Sequence, residues 1–270
     1  MIHLYAIIDR PAKAISMAKA APPMSGLEGS AVDVLPYNEI GAVVSVLATG
    51  KPLPIEANLW HHESVLEALM ADHAVLPVRF GTVLADEAAV QTAMEEHYVE
   101  FVDGLAHVRG HVELSLRALW NDAAAVPPAS GSAPTAEIGP DVNGSDDRFS
   151  LEALNHQMSN AAAGGRAYMM VQLEAQGRLD TQRRRAAELA NEIHTPLARL
   201  AAESARRAPV TPRLLLTAAY LVKRDQVAAF RREVVKLSAA IPEVCLLCTG
   251  PWPPFSFVAM TSAQRVISEL

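Results

Sequence analysis

Cys245 and Cys248 are the pair whose spacing most suggests chemistry, and they are the only cysteines in the chain. A C-x-x-C does redox work at a helix N-terminus, where the dipole lowers a thiol pKa. Here it lies in the apolar run VCLLC, Val244–Cys248, which reads as a strand buried on both faces. A spacing of three on a strand sends the side chains to opposite faces, so no disulfide closes. Without a third cysteine the pair builds no thiolate zinc site, and it reads as two small core residues. The nine histidines form no ligand set either. His61 and His62 are adjacent and diverge by roughly 100° on a helix, and Gly110 separates His107 from His111. There is no His-Glu-x-x-His, no glycine-rich nucleotide loop and no G-x-S-x-G elbow. The carboxylates are scattered over helix faces, where solvation is their ordinary role.

Arginine is the other residue type with a pattern. Arg183–Arg185 and Arg206–Arg207 sit on what reads as the longest helix. Seven arginines from Arg178 to Arg207 face four carboxylates. A solvated face aided by the helix dipole is the plain reading, and an acidic partner or phosphate the functional one. Arg79, between the small residues Pro77 and Gly81, is singled out as a guanidinium with room to lie flat. Its plain role is a structural hydrogen bond or ion pair. A net charge of −7 makes nonspecific nucleic-acid binding a poor fit. A sheet that reads RNA needs exposed aromatics, and Arg213–Val222 offers only Tyr220. No stretch approaches the ~20 apolar residues of a membrane span, and Met1–Ile8 is a strand pattern rather than a secretory leader. The chain therefore reads as cytoplasmic, with no cofactor.

The positioning elements follow from periodicity. Ile2, Leu4, Ala6 and Ile8 mark one face of a central strand, and Tyr5 and Ile7 the other. Pro11–Ser30 holds at most a short helix. Val32–Tyr37 and Ala42–Leu47 form a hairpin. Glu56–Asp72 is a helix with Leu59, His62, Leu66, Leu69 and His73 on its buried stripe. In Val75–Phe80, Leu76, Val78 and Phe80 share a face, and Pro77 demotes the run to an edge strand. Asp86 caps a long helix that bridges to a second unit. His111–Trp120 alternates, with Glu113 on the wet face.

Asn121–Arg148 is a Pro-, Gly- and Ser-rich insertion. Phe149–Met158 suggests a short helix, and Ala167–Leu173 an extra strand or a lead into the next helix. Asp180–Arg207 reads as a helix, with a kink or fresh start at Pro196. A short strand is expected near Val210. Arg213–Val222 is a strand, and Asp225 caps a helix to Ala240. After Val244–Cys248, three prolines forbid a central strand, so Gly250–Val258 leaves the sheet carrying Trp252, Phe255 and Phe257. Both halves run strand, helix, strand, strand, helix, strand. The expectation is α+β, two tandem ferredoxin-like (split βαβ) domains joined by a helix, residues 1–108 and 109–270, with the insertion at 121–148.

GPWPPFSFV (Gly250–Val258) and VLPVRFGTVL (Val75–Leu84), supported by HLYAII and AYLVKRD, resemble signatures of the GvpF/GvpL family of gas vesicle proteins. The resemblance covers nearly the whole chain apart from the insertion. It implies a two-domain α+β build and a non-catalytic minor gas vesicle protein that takes part in assembly. It also implies, as partner, the very hydrophobic shell-forming protein, kept from aggregating while the wall nucleates, along with other gas vesicle proteins. Arg79, Phe80, Trp252, Phe255 and Phe257 are the candidate partner-binding residues. The competing reading is a small-molecule-binding or catalytic ferredoxin-like protein, which requires a deep pocket with convergent polar groups.

Overall fold

The computed structural model describes residues 1–9, 25–48, 50–121, 151–207, 211 and 213–258. Its first sheet holds β1 (Ile2–Asp9), β2 (Val32–Tyr37), β3 (Ile40–Val46), β4 (Val75–Pro77) and β5 (Val83–Leu84). The order is β2-β3-β1-β4, with β5 also on β1, and the recorded pairings are antiparallel. β1 is central, as its two apolar faces require, and its faces change phase. Leu4 pairs Val44 and Ala6 pairs Val43, so Tyr5 is an extra, bulged residue. Ile2, Leu4 and Ile7 therefore enter one core, and Tyr5, Ala6 and Ile8 another. The strict alternation expected from the sequence does not hold.

Helix α1 (Glu56–Met70) packs over the second of these cores through His62, Val65, Leu66, Leu69 and Met70. Leu59, expected on the buried stripe, is 41% exposed. The expected bridging helix is two pieces, α2 (Glu87–Glu96) and α3 (Tyr98–Val108), broken at His97. The Asp86 side chain accepts from Ala89 N at 2.9 Å and caps α2 as predicted. Val90, Met94, Phe101 and Leu105 cover the first core, so the first sheet is roofed on both faces.

The second sheet holds β6 (His111–Trp120), β7 (Glu203–Arg207), β8 (Leu214–Lys223) and β9 (Val244–Trp252), ordered β7-β8-β6-β9. In chain order each sheet has its second strand at one edge, then the third, the first and the fourth. That is the split βαβ order, repeated. α4 (Leu151–Ala198, with Pro196 inside it) and α5 (Val227–Ala240) meet one face, through Leu189, Ile193, Leu197, Phe230 and Val234. From Leu151 onward the expected short helix, like the Ala167–Leu173 segment, is part of α4. The helical pattern expected to run to Arg207 ends at Ala198, because Glu203–Arg207 instead pairs β8 as an edge strand. Asp225 lies in a 3-10 turn ahead of α5 and makes no side-chain cap. The insertion beyond Asn121 and the short strand expected near Val210 lie outside the described residues, as does most of Pro11–Ser30, where a short helix was weighed.

The two halves are stitched together. Val112 and Val227 join the core under α1, and Arg224 Nη2 donates to Met70 O. Asp9 pairs with Arg109 at 3.3 Å and Glu203 with His107 at 3.0 Å. α6 (Phe255–Val258) completes the seam. Phe257 is fully buried against Ala219 and Leu221, and Val258 enters the first core.

Candidate partner-binding site

β9 is an edge strand, and one of its faces is wet. Val244, Leu246 and Cys248 point to the helices, while Cys245 is exposed and Leu247 is 50% exposed. The expected strand buried on both faces is thereby corrected, and so is the core role for Cys245. Edge position also explains why the strand does not stop at the prolines. It continues to Trp252, since an edge tolerates residues without an N–H.

A bulge aims Trp252. Ser115 pairs Thr249 and Glu113 pairs Trp252, so β9 spends one residue more than β6 between these pairs. Gly250 occupies the bulge at φ +110, and a Cβ there would lie 2.7 Å from Glu113 O. Only glycine meets both demands. By the even numbering of Val244, Leu246 and Cys248, Trp252 would otherwise face the helices. The extra residue turns it to the open face, where its Nε1 donates to Thr249 Oγ1 at 3.3 Å.

Glu113, expected on a wet face, is 5% exposed. Its Oε2 accepts from Ser256 N and its Oε1 from Ser256 Oγ, both at 2.8 Å. Burial raises its pKa, against the opposing pull of the two Ser256 hydrogen bonds and Arg207. This latch ties the Pro-locked segment to β6. Arg231 Nη2 adds a 2.6 Å bond to Gly250 O.

Two hollows meet at Glu113, Trp252 and Phe255. The first, about 540 Å³, runs between α1 and the Pro-locked segment. Leu59, Trp60, Pro251 and Pro253 line it, with Glu56, Glu63 and Glu67 along α1. Glu56, Trp60, Glu63 and Glu67 recur at three- and four-residue steps on the side away from Val65, Leu66 and Leu69, with Leu59 at the boundary, so α1 carries two working stripes. Trp60 is 65% exposed and donates to Glu56 Oε1 at 3.3 Å. The second hollow, about 450 Å³, lies on the open face of the second sheet. Register sets Arg117 opposite Thr217, and Thr217 opposite Arg207, above a floor of Ser115 and Ala219.

Chemistry is sparse in both. Both oxygens of Glu113, the buried carboxylate, are already engaged by Ser256. No cluster of three or more His, Cys, Asp or Glu able to hold a metal occurs among the described residues. His3 and His62 form a buried pair beneath the β4–β5 loop, with Nε2 of His3 3.1 Å from Nδ1 of His62. His62 Nε2 donates to Val78 O, so its Nδ1 accepts from His3 Nε2. Burial, joined by the neighbouring His62, lowers the His3 pKa from 6.5 to about 3; burial lowers that of His62 to about 4.

The structure brings Trp252 and Phe255 together in the groove and places Phe257 beneath them as support. Phe80 is half-buried over the histidine pair, 5.7 Å from the His62 ring, instead of sharing a core with Leu76 and Val78. Arg79 is exposed, and its guanidinium makes no hydrogen bond or ion pair among the described residues, unlike the structural role expected for it. The sequence reading put Leu59 on the buried stripe of α1 and did not name Trp60. The signal was present in the second apolar step of α1, beside the acidic Glu56, Glu63 and Glu67.

The family described as gas vesicle synthesis protein GvpL/GvpF matches residues 1–259. Gas vesicle protein L from a Streptomyces species is 28% identical over 254 residues, covering 87% of this chain and 86% of that one. Gas vesicle protein L1 from Halobacterium salinarum is 26% identical, covering 94% and 89%. Crystal structures of GvpF from an Anabaena species and from Microcystis aeruginosa match with TM-scores of 0.68 and 0.67, at 20% and 21% identity. They cover 95% of this chain, and 95% and 98% of their own. At that identity the likeness speaks for the fold.

Proposed function

The chain belongs to the gas vesicle synthesis protein GvpL/GvpF family, and from that premise we propose that it is a non-catalytic accessory protein of vesicle assembly, acting at the gas vesicle. In this reading it binds the hydrophobic shell protein and limits its aggregation while the wall nucleates. The observation that carries the reading is the groove between α1 and the Pro-locked segment, where Leu59, Trp60 and Trp252 stay 41%, 65% and 42% exposed. Large aromatic side chains held open by a bulge, a latch and fixed proline φ angles are a pre-ordered apolar surface, and such a surface loses little entropy when covered. Trp252 and Phe255 meet the partner, Phe257 supports them, and Arg79 and Phe80 form a second contact on the β4–β5 loop. The division at residues 108 and 109 belongs to the same proposal: each half supplies one wall of the groove. No helix among the described residues is long and apolar enough to cross a membrane.

The test is the turbidity of shell protein diluted out of denaturant, with and without this chain. Suppression by the wild-type chain, weakened severalfold by Trp60→Ser with Trp252→Ala in a variant of unchanged circular dichroism, is expected. Equal suppression by the variant would remove the groove from the activity, and no suppression by the wild type would end the holdase reading. Arg79→Ala in a pull-down of the shell protein reports on the loop separately.

A further inference from the structure

The two hollows carry opposite charge. Glu56, Glu63 and Glu67 line only the α1 hollow, and Arg117 and Arg207 only the sheet hollow. None of the three carboxylates forms an ion pair among the described residues, where Glu56 meets only the neutral indole of Trp60. Burial and Glu67 together raise the pKa of Glu63, the mark of carboxylates crowded without a cation. Arg117 is exposed and has no partner among the described residues, and Arg207 has a 3.4 Å contact with Ser256 Oγ and a through-space attraction to Glu113. Between the charged ends lie Trp252 and Phe255, common to both hollows. Glu113, also common, has its oxygens committed to Ser256.

We infer that the composite groove takes one polypeptide segment with an apolar middle, a cationic end on α1 and an anionic end on the open sheet. The occupant is a short amphipathic helix. The acidic stripe from Glu56 to Glu67 covers twelve residues, about 16 Å or three helical turns, so the cationic end of the occupant takes up to three turns and its apolar middle and anionic end extend beyond α1, over Trp252 and Phe255 to the open sheet. Two like-charged ends would leave one set of groove charges facing their own sign, and an uncharged segment would leave both unpaired. The groove therefore selects its partner by charge order along the segment, whereas apolar area alone accepts any greasy helix. The inference deepens the assembly reading and rests on it for biological meaning, but its chemistry is tested apart from the shell protein.

Three synthetic fluorescent helical peptides with the same Leu/Ile stripe serve as probes: lysines at one end and glutamates at the other, lysines at both, glutamates at both. Fluorescence anisotropy with the full-length chain at low salt should rank the mixed peptide about tenfold tighter than either other, with the gap closing in concentrated salt. Glu56→Lys with Glu67→Lys, both exposed, should transfer the preference to the all-glutamate peptide. Arg117→Glu should move it toward the all-lysine peptide. Three peptides binding the wild type within twofold of one another, or rankings unmoved in both variants, overturn the inference. If no peptide binds while the shell protein is still captured, the groove is not the site and the assembly reading stands. If the mixed peptide wins but the shell protein is not captured, the charge order holds and that reading falls.

Discussion

Acid should loosen this protein through His3 and His62, and the size of the effect follows from their burial. Both are neutral in the fold, with pKa values of about 3 and about 4, and both return to about 6.5 when the chain unfolds. Folded values below unfolded values mean that the unfolded chain binds the extra protons, so stability is full above pH 6.5 and is lost as pH falls toward 4. At pH 5 each histidine then costs about 2 kcal/mol, and the pair about 4 kcal/mol. That is a large share of the 5–15 kcal/mol typical of a domain. Glu63 and Glu113 act in the opposite sense, because a raised carboxylate pKa makes the fold gain protons first. Urea unfolding at pH 7.5 and pH 5.0 should therefore be run on the wild type and on His3→Gln with His62→Gln, and the two pH differences subtracted, which cancels the carboxylates. A wild-type loss exceeding the variant's by about 3–4 kcal/mol is expected. NMR of the imidazole carbons gives the same answer without mutation: neither ring should titrate above pH 5. Midpoints near 6.5, or equal pH differences in the two proteins, would refute the burial argument.

Other consequences are local. Gly250→Ala should cost about 1–3 kcal/mol in thermal unfolding, since φ +110 and the 2.7 Å approach to Glu113 O both exclude a Cβ. Ser256→Ala should cost about 1–3 kcal/mol and shift Trp252 fluorescence, because one of two bonds to the buried Glu113 carboxylate is lost. Asp86→Ala should cost about 1 kcal/mol, read by the denaturation midpoint, through loss of the cap on Ala89 N. Cys245 should react with a thiol reagent in the native protein well before Cys248, whose thiol is half-buried and has a pKa raised by that burial.

What the residues disclosed, and what they hid, divides along one line. Periodicity found nearly every strand and helix, because an apolar stripe must face a core whatever the core contains. It failed at two bulges. Tyr5 breaks the phase of β1, and Gly250 that of β9, and a single inserted residue moves every later side chain to the other face. Trp252 is legible as a stiffly held aromatic, yet its direction depends on a backbone insertion that no alternation pattern shows. Glu113 was misplaced for a related reason. Its strand does have one open face, as the pattern says, but α6 folds back over that end and turns a wet position into a buried one. Burial by a segment 143 residues away leaves no mark on the spacing around Glu113. The same event makes the groove, since the α6 return is what brings the Pro-locked segment alongside α1. A partner surface built from such a return is visible only as unexplained residues: an apolar step on the outer side of α1, and prolines with no sheet to end.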